Sequence, residues 1–150
     1  MTLEEKRRYL GRYQISAMRI RGLQAEIESL RSFAQRTTQS FDSQPGGGNT
    51  PSDRVGLLAA QIADDEQKIW EELSACMRLR NEIRDMIQEV GDEKARELLR
   101  MRFLCGKKIW QMAASLHYDE RFLRRKLNHA VEMVDFSKIH PQKPFKARVK

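Results

Sequence analysis

The sequence predicts an all-α protein, with a long N-terminal helical hairpin of coiled-coil character followed by a C-terminal helix-turn-helix. Three observations predict it. Apolar residues recur at seven-residue intervals over two long stretches. Proline and consecutive glycines separate those stretches. Three short helical patterns joined by turn residues then follow. Charged residues make up 33% of the 150 and hydrophobic residues 40%, a balance that suits long solvated helices better than one compact globule.

The first helix opens at Thr2, which with Glu5 forms a capping box. Tyr13, Ile20, Ile27 and Ala34 then occupy one heptad position, and Tyr9, Leu23 and Leu30 the other, with Ser16 as a small polar break. This narrow stripe is a coiled-coil seam. Gly11 and Gly22 each weaken it by ~1 kcal/mol. Residues 35–52, QRTTQSFDSQPGGGNTPS, read as a flexible linker, because Pro45, three glycines and Pro51 oppose a helix. The GGG run lacks a following Gly-Lys-Ser/Thr, so it is not a phosphate-binding loop.

Ser52 or Asp53 caps the second helix. Val55, Ile62, Ile69, Cys76, Ile83 and Val90 recur every seven residues; Leu58, Leu73, Leu79 and Ile87 accompany them, and Asp65-Glu66 interrupts the row. Such a helix is on the order of 55 Å long. Gly91 suits the position just past its end, and Asp92 caps the next helix. A single hairpin of this length is a thin core, which favours self-association. Tyr13, Ile20, Leu23, Ile27, Leu30, Val55, Ile62 and Ile69 are the candidate oligomerisation residues. Residues 1–90 thus form the hairpin with its linker, 91–135 the helix-turn-helix, and 136–150 a basic disordered tail.

Within 91–135, DEKARELLRMRFLCG points Ala95, Leu98, Leu99 and Phe103 inward, and Gly106 stops it. KKIWQMAASL turns Ile109, Met112, Ala113 and Leu116 to one side, with the small Ala113 at the helix crossing. After a His-Tyr-Asp turn, Asp119 caps a third helix, ERFLRRKLNHAVEMV. It buries Phe122 or Leu123, then Leu127, Ala130 and Val134, leaving Glu120, Arg121, Arg124, Arg125 and Asn128 outside. Arginine bonds bidentately to guanine and asparagine to adenine in the major groove. Lys107 and Lys108, ahead of the second helix, are placed for phosphates.

The charge distribution agrees with that reading. Residues 1–93 carry 13 Lys/Arg against 16 Asp/Glu, a net −3, whereas 94–150 carry 15 against 5, a net +10. A field concentrated at one end implies a polyanionic partner, here double-stranded DNA. An anionic membrane fits less well, since the apolar residues near the tail are few and not amphipathic, and no apolar run reaches the length of a span. MTLEEKRRYLGRYQ contains no uninterrupted apolar segment of the kind a secretory signal needs. Cys76 and Cys105 lack paired spacing and read as reduced core or seam residues of a cytoplasmic protein. His117, His129 and His140 have no ligand spacing, and no nucleophile–base or paired-carboxylate arrangement stands out. The expectation is a non-enzyme with no catalytic residues, metal or cofactor. Trp70 and Trp110 read as packing residues, and Asp64-Asp65-Glu66 as a solvated face. Lys138, Lys143, Lys146, Arg148 and Lys150 suit the tail to phosphate contact.

The stretch ELLRMRFLCGKKIWQMAASLHYDERFLRRKLNHAVEMV resembles region 4 of bacterial sigma factors, and the whole chain resembles the phage-encoded, sigma-region-4-like late-gene regulators of the ArpU type. PGGGNTPSDRVG, Pro45 to Gly56, is similar to the glycine-rich junction of that family. The resemblance implies promoter-proximal DNA binding in a bacterial host cell, with RNA polymerase as a second partner. Two features depart from it. The usual turn is Leu-Gly-Tyr-Ser, where this chain has Leu116-His117-Tyr118-Asp119, so His117 must tolerate a left-handed conformation that glycine takes cheaply. The aromatic-rich segment with which sigma factors melt DNA has no counterpart, so the expected role is to regulate rather than initiate. The competing readings are the DNA-recognition small subunit of a phage packaging terminase, and a module that binds RNA polymerase without reading DNA.

Overall fold

The computed structural model describes residues 1–41 and 51–139. Among them there is no strand, and six α-helices carry the chain: α1 (Leu3–Leu10), α2 (Arg12–Phe41), α3 (Pro51–Gln88), α4 (Glu93–Leu99), α5 (Ile109–Leu116) and α6 (Glu120–Glu132). A π-helical turn, Arg100–Leu104, extends α4. No helix among the described residues is long and apolar enough to cross a membrane. The chain divides into two compact units, Arg12–Arg80 and a second one made of Met1–Gly11 with Asn81–Lys150.

That division departs from the expected boundary near residue 90. The opening helix is two helices, because the chain breaks at Gly11. Gly11 N–H closes on Arg7 O at 2.9 Å, and a Cβ on Gly11 would stand 3.3 Å from that same oxygen, so the tight turn suits a residue without one. The capping box ahead of α1 forms as expected, with Thr2 N donating to Glu5 Oε2 (2.7 Å) and Glu5 N to Thr2 Oγ1 (3.2 Å).

In the unit Arg12–Arg80, ion pairs join Arg19 to Glu72 (3.5 Å) and Arg31 to Glu66, so residue numbers run in opposite senses along α2 and α3. The heptad seam lies between the two helices of one chain. Ile20, Ile27 and Cys76 are buried, and Tyr13, Leu23, Leu30, Ile62 and Ile69 are half-buried, whereas Val55 is exposed. Apart from Cys76 these are the candidate oligomerisation residues, and all of them but Val55 are buried or half-buried within the single chain. Two polar residues share the seam. Ser16 is buried, and so is Asp65, which was expected on a solvated face. Asp65 Oδ1 accepts from Gln61 Nε2 at 3.0 Å and lies 3.9 Å from Lys68 Nζ. Trp70, expected to pack, is 67% exposed.

The linker is shorter than the sequence suggests. α2 continues to Phe41, since Gln, Arg and Thr are tolerated in a helix, and α3 begins with Pro51 at its first position, where the missing N–H costs nothing. Residues 42–50, with Pro45 and the three glycines, lie outside the described residues. α3 ends at Gln88, two residues early. Val90 N turns back to Ile87 O (3.1 Å), Val90 is buried, and Gly91 does not take the left-handed conformation expected of it.

The other unit is built around Leu10, Ile83, Ile87, Leu99, Met112, Leu123 and Val131, all almost fully buried. α4 and α5 both pack on α6, and so does α1. Lys6 Nζ reaches Glu132 Oε2 at 2.6 Å and stands over the Phe136 ring at 5.8 Å. Tyr9, expected in the coiled-coil seam, meets Phe136 edge-on (5.9 Å, 84°) and its hydroxyl donates to Glu82. Lys138 pairs with Glu89 at 3.1 Å. Residues 136–139, assigned to a disordered tail, therefore make specific contacts; the tail from His140 lies outside the described residues.

Candidate nucleic-acid interface

The interface begins with how α6 is held. The inward positions expected on the three short helices are filled as predicted for Ala95, Leu98, Leu99, Phe103, Met112, Ala113, Leu123, Leu127, Ala130 and Val134, with Val131 added; Ile109 and Leu116 are half-buried. Of the alternatives Phe122 and Leu123, it is Leu123 that is fully buried. Ala113 is buried on α5, which packs on α6 and on the π-helical turn, so a larger side chain there would force its neighbours apart.

Two left-handed residues set the turns. Gly106, at φ 69°, ends the π-helical turn after Cys105 N closes on Arg100 O (2.9 Å), and Lys107 N then reaches Met101 O (2.9 Å). Arg102 Nη1 donates to Lys107 O at 2.9 Å and fixes the approach to α5. Cys105, expected in a core or seam, is exposed because it sits at this helix exit. His117, at φ 55° and ψ 40°, is the only described non-glycine residue with positive φ. Its N–H and that of Tyr118 (3.0 Å) both close on Ala113 O. This is the hydrogen-bond pattern of a left-handed helix stop, so the expected strain at His117 is present. Asp119 holds the cap position of α6 in extended backbone, but its side chain makes no cap hydrogen bond. The helix starts on backbone alone, with Leu123 N on Asp119 O at 2.9 Å.

On the outer face, Arg121 and Arg125 are exposed one helical turn apart. Arg124 is exposed beside them, with Nη2 3.7 Å from Glu120 Oε2. That exposed ion pair is a weak restraint. Lys107 and Lys108 are exposed ahead of α5, where Lys108 N donates to Gln111 Oε1 at 3.0 Å. Asn128 differs from expectation. It is half-buried, and its Oδ1 is fully covered with no hydrogen-bond partner among the described residues. A bidentate adenine contact needs both amide atoms in the groove, so Asn128 requires a side-chain rotation that Arg121 and Arg125 do not.

Aromatic side chains are also exposed on these elements, contrary to expectation for Trp110. Trp110 is 58% exposed on α5 rather than packed. Tyr118 meets Phe122 edge-on (5.3 Å, 72°), and Lys126 Nζ stands over the other ring at 5.4 Å. The spacing of four from Tyr118 to Phe122 and from Phe122 to Lys126 was visible in the sequence. Among the described residues, no group of His, Cys, Asp and Glu could hold a metal ion. Compared with protein-family models, curated proteins and solved structures, the chain matches none of them.

Proposed function

We propose that this chain is a sequence-specific DNA-binding transcription regulator, a phage or prophage late-gene activator acting near a promoter in the cytoplasm of a bacterial host. The carrying observation is that α6 is locked by Leu123, Leu127, Ala130 and Val131 on one side while Arg121, Arg124 and Arg125 stand exposed on the other. Base discrimination needs donors of fixed geometry, and arginine forks matched to guanine edges supply it. The tight turn at His117 and the exposed Lys107-Lys108 pair support the same reading, since a helix-turn-helix places its second helix in the major groove and uses flanking cations on phosphates. The concentration of positive charge in residues 94–150 supports it further.

The test is selection of bound duplexes from a random pool by the full chain, followed by affinity measurement at low and moderate salt. Enrichment of a defined sequence, with discrimination that survives added salt, is the expected result. If no duplex is retained even at low salt, the basic surface serves a protein partner such as RNA polymerase instead.

A further inference from the structure

The seam of the Arg12–Arg80 unit is filled from within, yet α2 carries a second row on its opposite side. Ile15, Met18, Gly22, Ala25 and Ser29 follow spacings of 3, 4, 3 and 4, and every one is exposed. Ile15 is 53% and Met18 64% exposed. Gly22 adds an independent sign. A Cβ there would meet nothing within 4 Å, so the chain's own packing does not call for glycine. Glycine inside a helix is unfavourable relative to alanine, and close approach of another backbone is the usual use for it.

We propose that this outer face of α2 pairs with the same face of a second copy, antiparallel and related by a two-fold axis between Gly22 and Ala25. Two properties of the sequence select that arrangement. In an antiparallel register with Gly22 against the partner's Ala25, Met18 falls opposite the partner's Ser29 and Ile15 opposite the partner's Ser32. Ile15 and Met18 then each meet a small side chain, which lets the layers interdigitate there. In the same register Arg21 faces the partner's Glu28, a pair that occurs twice by symmetry, and Arg19, which also pairs with Glu72 of its own chain, lies on the side of the partner's Glu26. Flanking charges of this kind set orientation in coiled coils, and the self-complementary pattern is what a two-fold interface requires. A parallel in-register pair would instead stack Met18 on Met18 and glycine on glycine, and would leave Glu28 without a cation. The pairing is independent of whether α6 reads DNA.

Sedimentation equilibrium on the full-length chain tests it, with circular dichroism to show that helicity is retained. The wild type forms a dimer, and Met18→Glu converts it to monomer. Arg21→Glu alone and Glu28→Arg alone each weaken dimerisation about tenfold, since two surface pairs turn repulsive. The double variant Arg21→Glu/Glu28→Arg recovers wild-type affinity to within about threefold, because reversed partners still match. A monomeric wild type at every concentration, a dimer indifferent to Met18→Glu, or a double variant no tighter than its single parents overturns the proposal. Loss of dimer in Arg21→Glu with none in Glu28→Arg points to the parallel pair and overturns it equally.

Discussion

Replacing His117 by glycine should stabilise the unit that contains α6. His117 holds φ 55° and ψ 40°, and both it and Tyr118 donate backbone N–H groups to Ala113 O, so this turn cannot relax without losing the α5 stop. A non-glycine residue in that region is strained by roughly 1–2 kcal/mol. Glycine removes the strain but orders a more flexible unfolded chain, which offsets roughly 0.5–1 kcal/mol. The net gain is about 0.5–1 kcal/mol. His117 is exposed and contributes no core contact, so nothing else is lost. With a urea dependence on the order of 2 kcal/mol per molar, the unfolding midpoint rises by about 0.3–0.5 M. Fluorescence of Trp110 reports this unit once Trp70, which lies in the other one, is changed to phenylalanine. A midpoint that falls in His117→Gly would refute the strain argument and show that the imidazole makes a stabilising contact.

Three further outcomes follow from the packing and the caps. Ala113→Leu overfills the packing around α5 and should cost about 1–3 kcal/mol by urea unfolding; an unchanged midpoint would mean that the site has room. Asp65→Leu removes a buried carboxylate from the α2–α3 seam and should raise stability by about 1 kcal/mol or more, whereas a loss would show that Gln61 and Lys68 compensate the charge fully. Glu5 sits below its ordinary value of 4.5, chiefly because Thr2 N–H donates to it. A depressed carboxyl stabilises the fold above its unfolded pKa, so α1 should hold firm at neutral pH and loosen as pH falls through 4.5 and below. Amide exchange of α1 read against pH checks this, with Glu5→Gln, which keeps an acceptor for Thr2 N–H but no longer titrates, abolishing the dependence.

The periodic parts of the fold were legible because burial imposes period. Leu98, Leu99, Phe103, Met112, Leu123 and Leu127 lie on the faces their spacing demands, and the seam residues Ile20 and Ile27 are buried. What sequence spacing does not carry is which partner covers a face. Tyr9 continues the heptad row of α2, yet its ring meets Phe136, 127 positions away, and α1 joins the α6 unit. Asp65 was read by its charge, although its heptad position placed it in the seam. Trp70 and Trp110 were read by their hydrophobicity, although neither occupies a buried position. At the candidate interface, the exposure of Arg121, Arg124 and Arg125 followed from one helix turn of arithmetic. The covered oxygen of Asn128 depends on side-chain rotation within the packed unit, which periodicity does not encode.

In the proposed function α6 reads bases, while the flanking cations only add affinity. The most direct measurement is binding of the selected duplex and a scrambled one across a salt series, for wild type, Arg121→Ala, Arg125→Ala and Lys107→Ala. Arg121→Ala and Arg125→Ala should each lose roughly 1–3 kcal/mol on the selected duplex and relax preference at particular base pairs. Lys107→Ala should weaken both duplexes alike and lower the salt slope by about one. If Arg121→Ala and Arg125→Ala leave discrimination whole while Lys107→Ala abolishes it, α6 is not the reading helix.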